Sequence, residues 1–247
     1  MLRLIWLAFA AILVTIPLAT ATILVAAIKS TSPVVDWIIH LWARSLVRAA
    51  GIELRTENLG VIKDDQRYIL VGNHYSYLDI PCILAAVPQP IRFMAKISLF
   101  KIPIFGWSLA RAGFIPIDRK NRRTAVKSFD LAAERIRKGN TIVIFPEEGR
   151  SREKQMRPFQ RGAFLLALKS EQPIVPIAVD GTYEVFPAVR WNVKPGVVTI
   201  KVGTPIPTAG LTLRDKDRLL NESRDQIQRM LFGPSSGPQE AASAGQS

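Results

Sequence analysis

Hydrophobic and polar positions fall into two regimes along this chain. From residue 4 to residue 28 an apolar run carries no charge between Arg3 and Lys29. As a helix rising about 1.5 Å per residue it is on the order of 37 Å long, enough to cross a hydrocarbon core of about 30 Å. Pro17, near its middle, predicts a kink, so two half-length segments dipping into one leaflet are an alternative. A cleaved signal peptide is another, imitated by Arg3, the apolar core and Ala19-Thr20-Ala21, although the run continues beyond Ala21 further than a usual signal core. After Pro33, Asp36, His40, Arg44 and Arg48 recur every four residues in otherwise apolar sequence, which gathers them into one narrow helical stripe. This reads as a second membrane-associated helix, with Trp37 and Trp42 at headgroup level and the Arg side chains reaching phosphates. The same spacing fits a buried core helix with a polar seam, and His40 reads as a seam residue rather than a catalytic one.

From about residue 51 the pattern changes to short β-rich runs at 52–56, 68–72, 91–94, 114–117, 141–145, 174–179 and 197–202. Most are continuously apolar, as expected of strands covered on both faces. Helical windows fall between them at 79–86, 104–112, 124–138 and 161–169, with a last one at 213–232 behind the capping-box pattern Thr212-Leu-Arg-Asp215. The alternation predicts an α/β fold: a mixed, largely parallel sheet flanked by helices, with ligands gathered at strand ends and an N-terminal membrane-associated helical segment. The expected division is residues 1–50 as membrane-anchoring helices, 51–232 as the α/β domain and 233–247 as a tail without apolar periodicity, expected to be disordered.

Composition narrows the chemistry. The chain has 247 residues with a net charge of +13, one Cys and two His. The lone Cys82 excludes a disulfide framework and a Cys-based zinc site, and two histidines exclude a multi-histidine metal centre. Residues 111–161 hold 14 Lys/Arg against 6 Asp/Glu, a surplus of 8, so the cationic field is local. Such a patch suits phosphates of a lipid headgroup, a nucleotide-bearing cofactor or a membrane surface, although Arg122, Arg123, Arg137 and Lys138 read better as a solvated face.

The most informative segment is Asn73-His74-Tyr75-Ser76-Tyr77-Leu78-Asp79, directly after a strand. A His and an Asp five apart face different ways on a helix or a strand, so they meet only if the chain turns between them. There the carboxylate would hold one ring nitrogen and leave the other free as a base. Spacing leaves a second reading open, in which Ser76-x-x-Asp79 is a capping box and His74 a surface residue. Downstream, Phe145-Pro-Glu147-Glu148-Gly149-Arg150-Ser151 also follows a strand and delivers a carboxylate and a guanidinium to the same edge.

These segments resemble the sequence blocks of the glycerolipid acyltransferases related to 1-acyl-sn-glycerol-3-phosphate acyltransferase. Asn73–Asp79 is similar to the H-x4-D block. Arg92-Phe-Met-Ala-Lys96, Leu99-Phe-Lys-Ile-Pro103 and Gly106-Trp107 resemble the inter-block segment. Gly113-Phe-Ile-Pro-Ile-Asp118-Arg119 resembles block two, the segment at 145–151 block three and Val175-Pro-Ile177 block four. The resemblance implies that His74 is a general base deprotonating a glycerol hydroxyl, which attacks a thioester, and that Asp79 orients His74. It assigns Arg119, Glu147, Gly149 and Arg150 to acceptor binding, with Lys96 placed to help neutralise the phosphate. Acyl-CoA or acyl carrier protein would be the co-substrate, with no other cofactor and no metal. Block three departs from the usual F-P-E-G-T-R-S, with Glu148 and Gly149 at the Gly-Thr positions, which bears on acceptor identity more than on reaction type.

The implied protein is a membrane-bound O-acyltransferase that makes phosphatidic acid from lysophosphatidic acid at the inner cell membrane, its catalytic domain on the cytoplasmic face. Membrane lipids would be its partners and nucleic acid would not. Another lysolipid, a lyso-ornithine lipid or glycerol 3-phosphate are alternative acceptors. A non-catalytic basic protein binding a membrane surface or nucleic acid is the alternative from another class. It is disfavoured for nucleic acid because residues 119–138 hold Phe129 alone among aromatics. A metal-dependent hydrolase is less favoured still, since no second histidine stands near His74.

Overall fold

The computed structural model describes residues 1–118 and 122–233, the side chains of 122–126 excepted. Arg119 and almost all of the expected tail lie outside the described residues. Strands β1 (Ile52–Glu57), β2 (Ile69–Gly72), β3 (Ile91–Lys96), β4 (Ile115–Ile117), β5 (Thr141–Ile144), β6 (Ile174–Asp180) and β7 (Gly196–Val202) form one sheet, in the order β1-β7-β6-β2-β5-β3-β4. All neighbours are parallel except β6 and β7. Helices α1 (Leu2–Ile28), α2 (Pro33–Ala49), α3 (Asp79–Ala86) and α4 (Phe105–Ala112) precede α5 (Arg122–Arg137), α6 (Gly162–Ser170), α7 (Thr182–Val185) and α8 (Lys216–Phe232).

The continuously apolar strands sit between two cores, and the two-residue strand period sorts their side chains. Leu70, Val143 and Val175 face one core together with Val35, Ala43, Cys82 and Ala112 from α1–α4's side. Ile69, Val71, Ile142 and Ile174 face the other, with Ala132, Phe164 and Ile227 from α5, α6 and α8. Fully burying each such aliphatic side chain contributes about 2 kcal/mol, so covering both faces is what holds short parallel strands in place. β1, at the sheet edge, carries Glu53, Arg55 and Glu57 outward, which discourages edge pairing. At the other end of the chain, Thr212 and Asp215 form the expected capping box, on a 3-10 turn (Leu213–Asp215) that leads into α8.

The first helix is continuous through Pro17 rather than the two half-length segments of the alternative reading. It is a single helix over Leu2–Ile28, with Thr20 and Thr22 hydroxyls donating to the Ile16 and Leu18 carbonyls, both at 2.9 Å. Ser/Thr side chains and neighbouring helices compensate for an interior proline in apolar helices. α1 packs along α2 and α4, and two indoles tie it to α2: Trp6 Nε1–H donates to Ala49 O at 3.2 Å and Trp42 Nε1–H to Thr15 Oγ1 at 2.9 Å. It is long and apolar enough to cross a membrane by length and composition.

α2 corrects the headgroup reading in part. Its polar stripe splits, because Asp36 pairs with buried Arg92 of β3 at 2.7 Å and both His40 ring nitrogens face backbone carbonyls, Asp36 O at 2.7 Å and Val87 O at 2.9 Å. His40 is therefore the seam residue expected. Val35, Ile38, Ile39, Ala43, Leu46 and Val47 are buried, and Trp42 points inward, whereas Trp37, Arg44 and Arg48 are exposed. The helices of residues 1–50 thus share a core with the sheet.

Candidate active site

Parallel β2, β5, β3 and β4 end at the same edge of the sheet, so the segments that follow them converge there. His74 follows β2, residues 145–151 follow β5, Lys96 ends β3, and Asp118, the residue before Arg119, follows β4. One edge thus collects His74, Lys96 and the 145–151 segment.

After β2 the chain turns because Asn73 continues the sheet with its side chain. Its Nδ2–H donates to Val179 O at 2.9 Å, while its Oδ1 accepts from Val179 N–H at 2.8 Å. Ser76 Oγ then donates to Phe186 O at 2.6 Å and accepts from Leu78 N–H at 3.1 Å. The turn brings His74 Nδ1 to 2.7 Å from Asp79 Oδ2. Asp79 is fully buried at the start of α3; Oδ2 also accepts from Tyr75 N–H and Ser76 N–H, at 2.7 and 2.8 Å, and Oδ1 accepts from Thr182 Oγ1 at 2.5 Å. A carboxylate so engaged can only accept, so His74 carries its proton on Nδ1 and presents the Nε2 lone pair. The paired reading of the segment is the one observed: α3 begins behind Leu78 with no side-chain cap, and Asp79 serves the ring and two backbone N–H groups at once. Phe145 stacks on the imidazole, centroids 4.1 Å apart and planes within 7°, which fixes its orientation.

Glu147 lies elsewhere than the resemblance implies. It is only 2% exposed, with Oε1 accepting from His74 N–H and Oε2 from Arg157 N–H, both at 2.8 Å. Burial is the main cause that pushes its carboxyl up to about 7, against the two backbone hydrogen bonds. Ser151 N–H donates to His74 O at 2.8 Å, so this segment grips the His74 backbone on two sides. Glu148 has φ of 54°, the left-handed region that favours glycine, which accounts for Gly at that place in the usual motif. A Cβ on Gly149 would sit 2.7 Å from Arg157 Nη1, so Arg157 fills the volume of the usual Thr. Arg150 stacks its guanidinium 3.3 Å above the Tyr77 ring, and Lys96 is exposed.

Beside this polar edge lies an apolar cavity of about 500 Å³ between α1, α2, α3 and α4. Its wall includes Phe93, which contacts Phe145 at 5.6 Å between centroids, so cavity and imidazole are linked through two aromatic rings, Phe93 and Phe145. Thr15, Thr22 and Ser108 also line it, but each hydroxyl is engaged, with Trp42, Leu18 O and Phe105 O respectively, which leaves the wall effectively apolar. On α1 the lining residues Ala8, Ala11, Thr15, Ala19 and Thr22 recur every three or four positions, and their small size makes the room.

Sequence reasoning missed Thr182, Arg157 and this cavity. The small-residue spacing on α1 was a usable signal for the cavity. Nothing local marks Thr182, which lies 103 residues from Asp79. Among the described residues no cluster of three or more His, Cys, Asp or Glu is arranged to hold a metal ion.

A family model described as Acyltransferase matches residues 53–180. The chain is 32% identical to the chloroplastic 1-acyl-sn-glycerol-3-phosphate acyltransferase of Brassica napus over 66% of its own length and 46% of that protein's. It is 32% identical to the enzyme of that name from Saccharomyces cerevisiae, over 65% of this chain and 54% of the other, and 28% identical to the human beta form, over 84% and 76%. The chain spans about half the length of the first curated relatives it matches, 46% and 48%. The crystal structure of the 1-acyl-sn-glycerophosphate acyltransferase of Thermotoga maritima superposes with a TM-score of 0.79 over 93% of both chains at 24% identity, a shared fold. With the ordered sequence blocks converging on one sheet edge and the family match covering more than half of the chain, this protein belongs to the acyltransferase family.

Proposed function

We propose that the protein transfers a fatty acyl group from a thioester, acyl-CoA or acyl carrier protein, to the sn-2 hydroxyl of lysophosphatidic acid, giving phosphatidic acid at a membrane. The observation that carries this reading is the oriented His74–Asp79 pair linked through Phe145 and Phe93 to an apolar cavity of about 500 Å³. A base with a free Nε2 suits proton abstraction from a hydroxyl, and a dry cavity of that size suits an alkyl chain.

In this mechanism His74 Nε2 takes the proton of the acceptor hydroxyl as its oxygen attacks the thioester carbonyl. Collapse of the tetrahedral intermediate expels the thiolate, which receives that proton from His74, and no acyl-enzyme is needed. Asp79 holds the ring and stabilises the transient imidazolium. Lys96, Arg150 and Arg157, with Arg119 after β4, supply cations for the acceptor phosphate. Glu147 acts through the backbone by fixing His74 and Arg157. The apolar α1 supports residence at the membrane, where both lipid substrates are concentrated.

Thiol release from palmitoyl-CoA in mixed micelles, with and without lysophosphatidic acid, tests the reading. Acceptor-dependent release abolished in His74→Ala is expected; full activity in that variant would sink it. Exposed Glu148 favours a second acceptor class, lysolipids whose headgroup carries an amine, such as a lyso-ornithine lipid. Faster turnover of that acceptor than of lysophosphatidic acid would establish it.

A further inference from the structure

The loop between α7 and β7 is built like the exposed apolar face of α1, yet belongs to the globular body. It reads Pro187-Ala-Val189-Arg190-Trp191-Asn-Val193-Lys194-Pro195. Val193 is buried and Lys194 N–H donates to Val185 O at 2.9 Å, so the loop is pinned at its base. Its exposed side chains include two large apolar ones, Trp191 at 71% and Val189 at 45%, beside Arg190, Asn192 and Lys194. Trp191 also lines the cavity, with its ring 6.4 Å from Tyr77 and 6.3 Å from Phe186.

Four of the five tryptophans are more than half exposed: Trp6 on α1 at 56%, Trp37 on α2 at 63%, Trp107 on α4 at 59% and Trp191. Each of the first three adjoins a residue that lines the cavity, Leu7, Ile38 and Ser108. Exposed indoles on four elements, that of Trp191 at the cavity itself, would be poorly placed in bulk water. They suit the headgroup layer, where an amphipathic ring has an apolar side and a wet one. Basic Arg190 and Lys194 flank Trp191 and match anionic headgroups.

We infer that loop 187–195 is a membrane-docking element, which inserts Val189 and Trp191 into an anionic phospholipid surface beside the cavity. This rests on the membrane reading of α1 given above. It places one rim of the cavity at lipid level, so that a chain passes between bilayer and cavity beside Trp191 without crossing water.

The test uses the full chain carrying an NBD fluorophore on a single introduced cysteine, at Trp191→Cys or, should that variant misfold, at Val189→Cys. Native Cys82 is buried and burial raises its thiol pKa, so it does not compete for the label. Trp6→Cys reports on α1. With phosphatidylcholine vesicles containing phosphatidylglycerol, a blue shift and at least a twofold intensity gain at both positions is expected. Arg190→Glu combined with Lys194→Glu is expected to lower partitioning onto those vesicles at least tenfold. A response at position 6 but not in the loop overturns the docking loop and leaves the membrane reading of α1 standing. No response at either position overturns both. A loop response to an acidic carrier protein but not to vesicles overturns it in favour of a protein partner.

Discussion

The polar edge and the apolar cavity are joined through Phe145 and Phe93 and are held by opposite means. At the edge the two buried carboxylates are fully engaged: Asp79 accepts four hydrogen bonds and Glu147 two. Directional bonds in a buried site fix His74 to one tautomer and one orientation. The cavity contains no such constraint, because its few hydroxyls are satisfied within the wall and its shape follows from side-chain volume alone. One region should therefore respond to loss of a single atom's chemistry, the other to a change in volume.

The largest expected effect separates the two at once. His74→Ala should lower kcat by about 10² to 10⁴, the usual worth of a general base, while the order of preference among acyl chain lengths in the residual activity stays the same. Steady-state kinetics with a donor series checks this. Asp79→Asn should cost about 10² in kcat and about 1–3 kcal/mol in urea unfolding, because an amide cannot accept from the ring and two backbone N–H groups on one atom while turning its NH₂ away from Thr182 without loss. Ala11→Phe fills the cavity and should shift the ratio of turnover for palmitoyl to lauroyl donors about tenfold toward the shorter chain, with the lauroyl rate little changed. A uniform fall for all donors would show that the cavity is not the acyl site.

Two smaller effects sharpen the polar side. Thr182→Val keeps volume but removes one hydrogen bond to Asp79, for an expected loss of about 1 kcal/mol in stability and a few-fold in kcat, read in the same assays. Glu147, raised by burial to about 7 from an ordinary 4.5, binds more protons folded than unfolded between those values. Its contribution to stability is fully present below about pH 4.5 and is lost as pH rises to about 7, on the order of 1 kcal/mol per pH unit. Unfolding titrations of the wild type and Glu147→Gln across that range should differ in slope.

Much of the fold was legible because most strands are apolar runs bounded by turn residues, and α3 has the bounds expected, Asp79–Ala86. β3 runs on to Lys96, two residues past its expected end, because Met94, Ala95 and Lys96 pair with β4. Of the site, the His74–Asp79 pairing was legible as a requirement for a turn. The inward placement of Glu147 was not, since a motif gives a carboxylate's position in the chain and not the two amides it meets. α1 was legible in part for a related reason: hydropathy registers its apolar length but not that Ala8, Ala11, Thr15, Ala19 and Thr22 line a cavity on one face.

By itself the sequence determined the strand and helix order, the concentration of charge-free residues at the N-terminus and the family, because these depend on local periodicity and residue identity. Tertiary structure alone decided which residues act together. Asp79 meets Thr182 across 103 residues, Glu147 joins His74 to Arg157, and four helices enclose a cavity none of them contains. Those arrangements follow from long-range packing and hydrogen-bond satisfaction, which link positions that no local pattern couples.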